Sequence, residues 1–230
     1  MSISAQVLPH PLREGDHLTR EKFMRRWEAM PDLKFAELIG GIVHMPSPIS
    51  RIHCDFHGRL SVWLGHYASA TAGCTLLTAG TWLMAGDNAP QPDLAYCIDP
   101  RRGGQSREEG GYAAGAPELI VEISYTTGVR DSGIKKRLYE RSGVLEYLIV
   151  KPEKRQLEWN ELVEGKYREI QPGADGFFRS RVFPGLWLNA EALWNCDYAA
   201  LSTAVQQGTS TPEHAEFVGK LVGNLAPPQC

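Results

Sequence analysis

The chain has 230 residues, of which 43% are hydrophobic and 22% charged, and a formal net charge of -3. These values fit a globular protein with one sizeable core and exclude one that coats nucleic acid by bulk positive charge, while leaving room for a local basic patch. No apolar run approaches the roughly 18–20 residues that span a bilayer, the N-terminal MSISAQVLPHPLREGDH lacks a secretion pattern, and the five scattered cysteines without CxxC spacing predict reduced thiols in a cytoplasmic protein, not a zinc finger.

Residues 1–17 are aperiodic and read as an extended N-terminal arm. Thr19 is placed to cap a helix with Phe23, Trp27 and Met30 at helical spacing. FAELIGGIVHM then reads as a hairpin turning at Gly40-Gly41. After the break at PSPIS, Ile52, Phe56, Leu60, Trp63, Leu64 and Tyr67 form one stripe of an amphipathic helix. From Thr75 the period becomes that of strands, in TLLTAGTWLM and PDLAYCID. RRGGQSREEGGYAAGA is glycine-rich and charged, and reads as an exposed, mobile loop whose arginines could meet a phosphate backbone or simply solvate it.

ELIVEIS is the third strand of this region. Residues 131–142 follow as a helix, with Ile134, Leu138 and Arg141 along one side and Gly143 as its stop, and LEYLIV is a strand immediately after. Strand, helix and strand with short connections make a right-handed crossover, so two strands here should be parallel. QLEWNELVEGKYREI reads as a polar hairpin turning at Glu164-Gly165, and LWLNAEALWNCDYAALSTAV as a late helix. The expected architecture is α/β: one mixed sheet flanked by helices, a single domain over 18–206 and a flexible tail over 207–230.

Glu122 is the anomaly in this pattern. It sits inside the apolar strand ELIVEIS, where an unpaired charge would cost several kcal/mol or force the group to take a proton. If its strand neighbours PDLAYCID, Asp93 approaches it on one face, and two close carboxylates call for a cation between them. Mg²⁺ suits this position, with the Ile123 carbonyl as a further oxygen ligand. The rival partner is a buried Lys135 or Arg137. Lys135 could instead pair with Asp131, four residues earlier on the same helix face. Glu37 could line the site or stand exposed on its hairpin, and His53 reads as a structural residue near a helix start.

PDLAYCID, ELIVEIS, the spacing D-x-x-x-K-x-x-x-Y at Asp131, Lys135 and Tyr139, and GVLEYLIV together resemble the Uma-two family of the PD-(D/E)XK nuclease superfamily. FAELIGGIVHMPSPISRIH resembles an upstream segment of the same family, so the likeness spans residues 35–150, with a weaker echo at FPGLWLNAEAL. The resemblance implies a restriction-endonuclease-like fold with core order α-β-β-β-α-β and an N-terminal hairpin. It implies a Mg²⁺- or Mn²⁺-dependent endonuclease acting on DNA as a homodimer. Asp93 and Glu122 would hold the metal, Lys135 would take the place of the superfamily lysine moved from Ser124 to the helix, and Glu37 would be the early acid. His53 matches a family histidine to which no role is assigned. Two other readings stay open: a catalytically inactive DNA-binding or regulatory protein on the same scaffold, and a homo-oligomer of another class whose acids make only internal salt bridges.

Overall fold

The computed structural model describes residues 10–124 and 130–224, with the backbone alone at 130–132. Residues 1–9 of the expected arm, 225–230 of the expected tail and the side chain of Asp131 therefore lie outside the described residues.

Thr19 caps α1 (Arg20–Glu28) by accepting from the Lys22 amide, and α1 buries Phe23. β1 (Glu37–Ile39) and β2 (Ile42–His44) form the expected hairpin. Gly40 and Gly41 both take positive φ, 60° and 77°, which only glycine adopts without strain in so tight a turn. Residues within the expected arm lie against this hairpin: His17 bridges Ile42, the Gly15 amide donates to the Val43 carbonyl, and Leu12 is buried.

α2 (Arg51–Ala70) buries Phe56, Leu60, Trp63, Leu64 and Tyr67, as its stripe requires. Ile52 on the same stripe is instead exposed, because it lies in the first turn, beyond the edge of the core. Arg59 is buried in its place lower on the helix, where its guanidinium donates to the Leu193 and Trp194 carbonyls at 2.7 and 3.2 Å.

β3 (Cys74–Thr78), β4 (Trp82–Leu83) and β5 (Leu94–Ile98) follow, and the segment expected to be a loop is mostly ordered into a hairpin of β6 (Arg107–Glu109) and β7 (Tyr112–Ala114). The charges of Arg107, Glu108 and Glu109 hid the strand period, since all three point to solvent from an edge, while Gly110-Gly111 supplies the turn. β7 also pairs in parallel with β4.

β8 (Leu119–Ile123) leads through a π-helical turn at Arg130–Lys135 into α3 (Lys136–Ser142), which Gly143 ends in the left-handed conformation, and then into β9 (Glu146–Lys151). The wide turn rotates the helix face from the expected one. Lys135, Leu138 and Tyr139 are buried and Ile134 is exposed.

β10 (Gln156–Val163) and β11 (Lys166–Glu169) form the polar hairpin. β12 (Phe177–Arg179) pairs with β13 (Trp187–Asn189), and the expected single late helix is α4 (Ala190–Trp194) and α5 (Tyr198–Thr209). Cys196, at φ 57°, breaks the run, and Asp197 caps the second helix. The flexible tail is corrected up to residue 224. Thr211-Pro212 starts α6 (Pro212–Gly223), a helix-opening pair that a composition count overlooks. His214 and Leu221 are buried, and His214 Nε2 lies 2.9 Å from Thr71 Oγ1.

The described residues build a six-stranded sheet in the order β11-β10-β9-β8-β5-β3. β8 and β9 are parallel, as the crossover demands, and the other pairs are antiparallel. α2, β3, β5, β8, α3 and β9 thus reproduce the expected core order. One face packs Leu119, Val121 and Ile123 with the apolar side of α2, while the other packs Ala95, Cys97 and Ile120 against Leu138 and Tyr139 of α3. Among the described residues, no helix is long and apolar enough to cross a membrane.

Glu146, fully buried at the start of β9, anchors the 180–183 turn. Its carboxylate accepts from Ser180 Oγ, the amides of Arg181 and Val182, and Trp159 Nε1. Burial, outweighing these donors, pushes the carboxyl from 4.5 up to about 7. The proton is therefore held more tightly in the folded chain than in the unfolded one. The stability this confers is full below about pH 4.5 and is lost as pH rises through about 7, a swing of roughly 3 kcal/mol. Melting temperature is expected to fall from about pH 5 to 8 more steeply for the wild type than for Glu146→Gln. Parallel curves would refute this origin of the pH dependence.

Candidate functional site

Strand alternation decides where the acids point. Glu122 lies two residues after Ile120, so both project to the α3 face of β8. Leu94 pairs with Val121, and one step further along this antiparallel register Asp93 stands opposite Glu122. Asp93, two residues before Ala95, projects to the same face. The neighbour relation expected from the sequence is therefore present.

Asp93 is held on both oxygens. Oδ2 accepts from the Ile123 amide at 2.7 Å, and Oδ1 lies 3.1 Å from His53 Nε2. The Ile123 carbonyl lies on the same edge of β8 as its amide, so it faces the Asp93 side, while the next amide, Ser124, pairs with the Val150 carbonyl. His57, one turn after His53, approaches the Asp93 carbonyl with Nε2 at 3.2 Å. A carbonyl only accepts, so that nitrogen carries the proton, leaving Nδ1 to Ser61 Oγ at 3.5 Å.

Lys135 answers the question posed by Glu122. Its ammonium, 4% exposed with its residue, lies 2.9 Å from Glu122 Oε1 and 2.8 Å from Glu37 Oε1. The Tyr139 hydroxyl, one helical turn on, donates to the same Glu122 oxygen at 2.8 Å. Burial first, and then the charge of Glu122, raise the Tyr139 phenol well above its ordinary value, so it stays a donor. Glu37 is fixed in turn by the Gln91 amide at 2.8 Å, and Gln91 ties its own side chain to the Ala36 amide and Thr81. Arg137, the other candidate partner, is exposed.

All four predicted side chains, Glu37, Asp93, Glu122 and Lys135, line one cavity of about 530 Å³, together with Ile123 and His53. His53 is not confined to the helix start as expected: only its amide serves there, donating to Ser50, while its ring reaches Asp93. Gln91 and His57 escaped the sequence reading. The i, i+4 pair His53 and His57 on this amphipathic helix was the available signal; Gln91 had none, being one polar residue among prolines.

The donor set suits a hard cation. Asp93, Glu122 and the Ile123 carbonyl offer oxygens alone, and the cavity carries three carboxylates against one ammonium. Among the described residues no group of three or more His, Cys, Asp or Glu side chains is placed to hold a metal ion. An open site with few protein ligands is what a hydrated Mg²⁺ takes.

The family model Uma2, described as “Putative restriction endonuclease”, matches residues 20–191. A crystal structure of “a putative nuclease belonging to DUF820” from Anabaena variabilis is similar, with a TM-score of 0.56 and 17% identity, over 77% of this chain and 98% of that one. At that identity the likeness shows the fold. No curated protein sequence matches the chain.

Proposed function

Because the chain belongs to the Uma2 family, we propose that it is a Mg²⁺- or Mn²⁺-dependent endonuclease that hydrolyses phosphodiester bonds in DNA. The observation carrying this reading is the convergence of Glu37, Asp93, Glu122 and Lys135 in one cavity with an excess of negative charge. Lys135 reaches Glu37 and Glu122, while Asp93 meets the His53 ring and the Ile123 amide, so among the described residues three carboxylates line the cavity with one ammonium.

Asp93, Glu122 and the Ile123 carbonyl would hold the ion, which supplies an activated water and charge neutralisation at the phosphoryl group. His53 and the Ile123 amide orient the Asp93 carboxylate. Tyr139 orients Glu122 from the far side. Lys135 presents its ammonium to charge developing on the phosphoryl oxygens, and Glu37 holds that ammonium over the cavity. Lys135 stands on the helix and not at Ser124, yet its ammonium reaches Glu122, which favours a catalytic scaffold over an inactive one. The unpaired cysteines Cys54, Cys74, Cys97 and Cys196 accord with a cytoplasmic setting.

Supercoiled plasmid is expected to be nicked with Mg²⁺ or Mn²⁺ and left intact with EDTA, and Asp93→Ala is expected to lose the activity. Equal cutting by wild type and variant, or no dependence on metal, would reject the assignment.

A further inference from the structure

The cavity has a second wall that phosphoryl chemistry does not use. Besides the acids it is lined by Phe35, Met45, Pro46, Pro48 and Ile49. Phe35 is 41% and Ile49 60% exposed, high values for large apolar side chains beside a charged cluster. The segment MPSPIS that supplies most of this wall has no helix or strand, yet it is anchored at both ends. The Met45 amide donates to Glu14 Oε2 at 2.6 Å, and Ser50 caps α2. Two prolines lock φ between those anchors, so the strap is stiff and keeps its apolar side chains in water at a standing cost.

With the proposed cation offsetting the acids, the cavity suits a ligand with an anionic part beside Lys135 and a flat apolar part for the strap. A nucleotide has both, and the cavity volume lies within the roughly 300–1,000 Å³ of small-molecule sites. Resting on the nuclease reading, we propose that the strap and Phe35 form a nucleobase subsite. The base attached to the reacting phosphate is received there out of its stack, and the preferred substrate is single-stranded or locally unpaired DNA. A base held within a duplex cannot leave the stack to enter a side cavity without the cost of unpairing. Contacts of this kind tolerate any base, because every base offers a π-face.

Binding separates base from backbone. Phosphorothioate-linked strands, used with Ca²⁺, are compared by fluorescence anisotropy: a short thymidylate strand, an abasic deoxyribose-phosphate strand of equal length, and a duplex. The thymidylate strand is expected to bind about tenfold more tightly than the abasic strand, and more tightly than the duplex. Ile49→Ser and Phe35→Ser, at exposed positions where folding is little affected, are expected to narrow the gap. Equal binding of thymidylate and abasic strands, or a gap unchanged in both variants, overturns the subsite. Metal-dependent cutting without base preference would leave the nuclease standing and remove the subsite; base preference without metal-dependent cutting would do the reverse.

Discussion

Lys135→Met is expected to lower the stability of the fold by about 3 kcal/mol, toward the lower end of what breaking a buried ion pair costs. Methionine keeps most of the stem volume, so the loss is electrostatic and not one of packing. With the ammonium gone, Glu122, 3% exposed, and Glu37 face each other without their shared cation. Glu122 keeps the Tyr139 hydroxyl as a donor, and Glu37 keeps the Gln91 amide and some access to water, which is why the upper end of the range is not reached. Chemical denaturation of both proteins measures the difference. Combining Lys135→Met with Glu122→Gln should recover a good part of it, because the repelling charge is removed. A single variant within about 0.5 kcal/mol of wild type would show that the bridge contributes little to folding.

The same network shows how far a sequence carries. Glu122 is conspicuous because strand alternation and apolar neighbours leave a charged residue nowhere to hide, and Asp93 follows from it when the two strands are adjacent. The first inference uses local periodicity alone, and the second also needs β5 and β8 to be sheet neighbours. Lys135 takes its role from the family resemblance, while the apolar side expected along Ile134, Leu138 and Arg141 is turned toward Lys135 and Tyr139 by a π-helical turn that has no compositional mark. The β6–β7 hairpin was missed because edge strands carry charge for solubility, which erases the alternation by which strands are recognised. His53 is the instructive case. Its place near a helix start is local, but its contact with Asp93 depends on how α2 lies across the end of β5, a tertiary fact with no trace in the period of either element.

Glu122→Gln separates the chemistry from the fold. The amide oxygen can still accept from Lys135 and Tyr139, and Lys135 retains Glu37 as its counter-charge, so stability should change by less than about 1 kcal/mol. Cleavage should nevertheless fall by roughly 10³-fold, the scale of losing a directed electrostatic contact to the transition state. The reason lies in the charge count: the cavity goes from three carboxylates and one ammonium to two and one, and an amide is a far poorer ligand for Mg²⁺ than a carboxylate. Calorimetric titration with Mg²⁺ should show weakened binding, and plasmid nicking the lost rate, while thermal unfolding stays near wild type. Retained nicking with retained Mg²⁺ affinity would mean that Glu122 serves only as the buried partner of Lys135, and the carboxylate pair would then have no catalytic part to play.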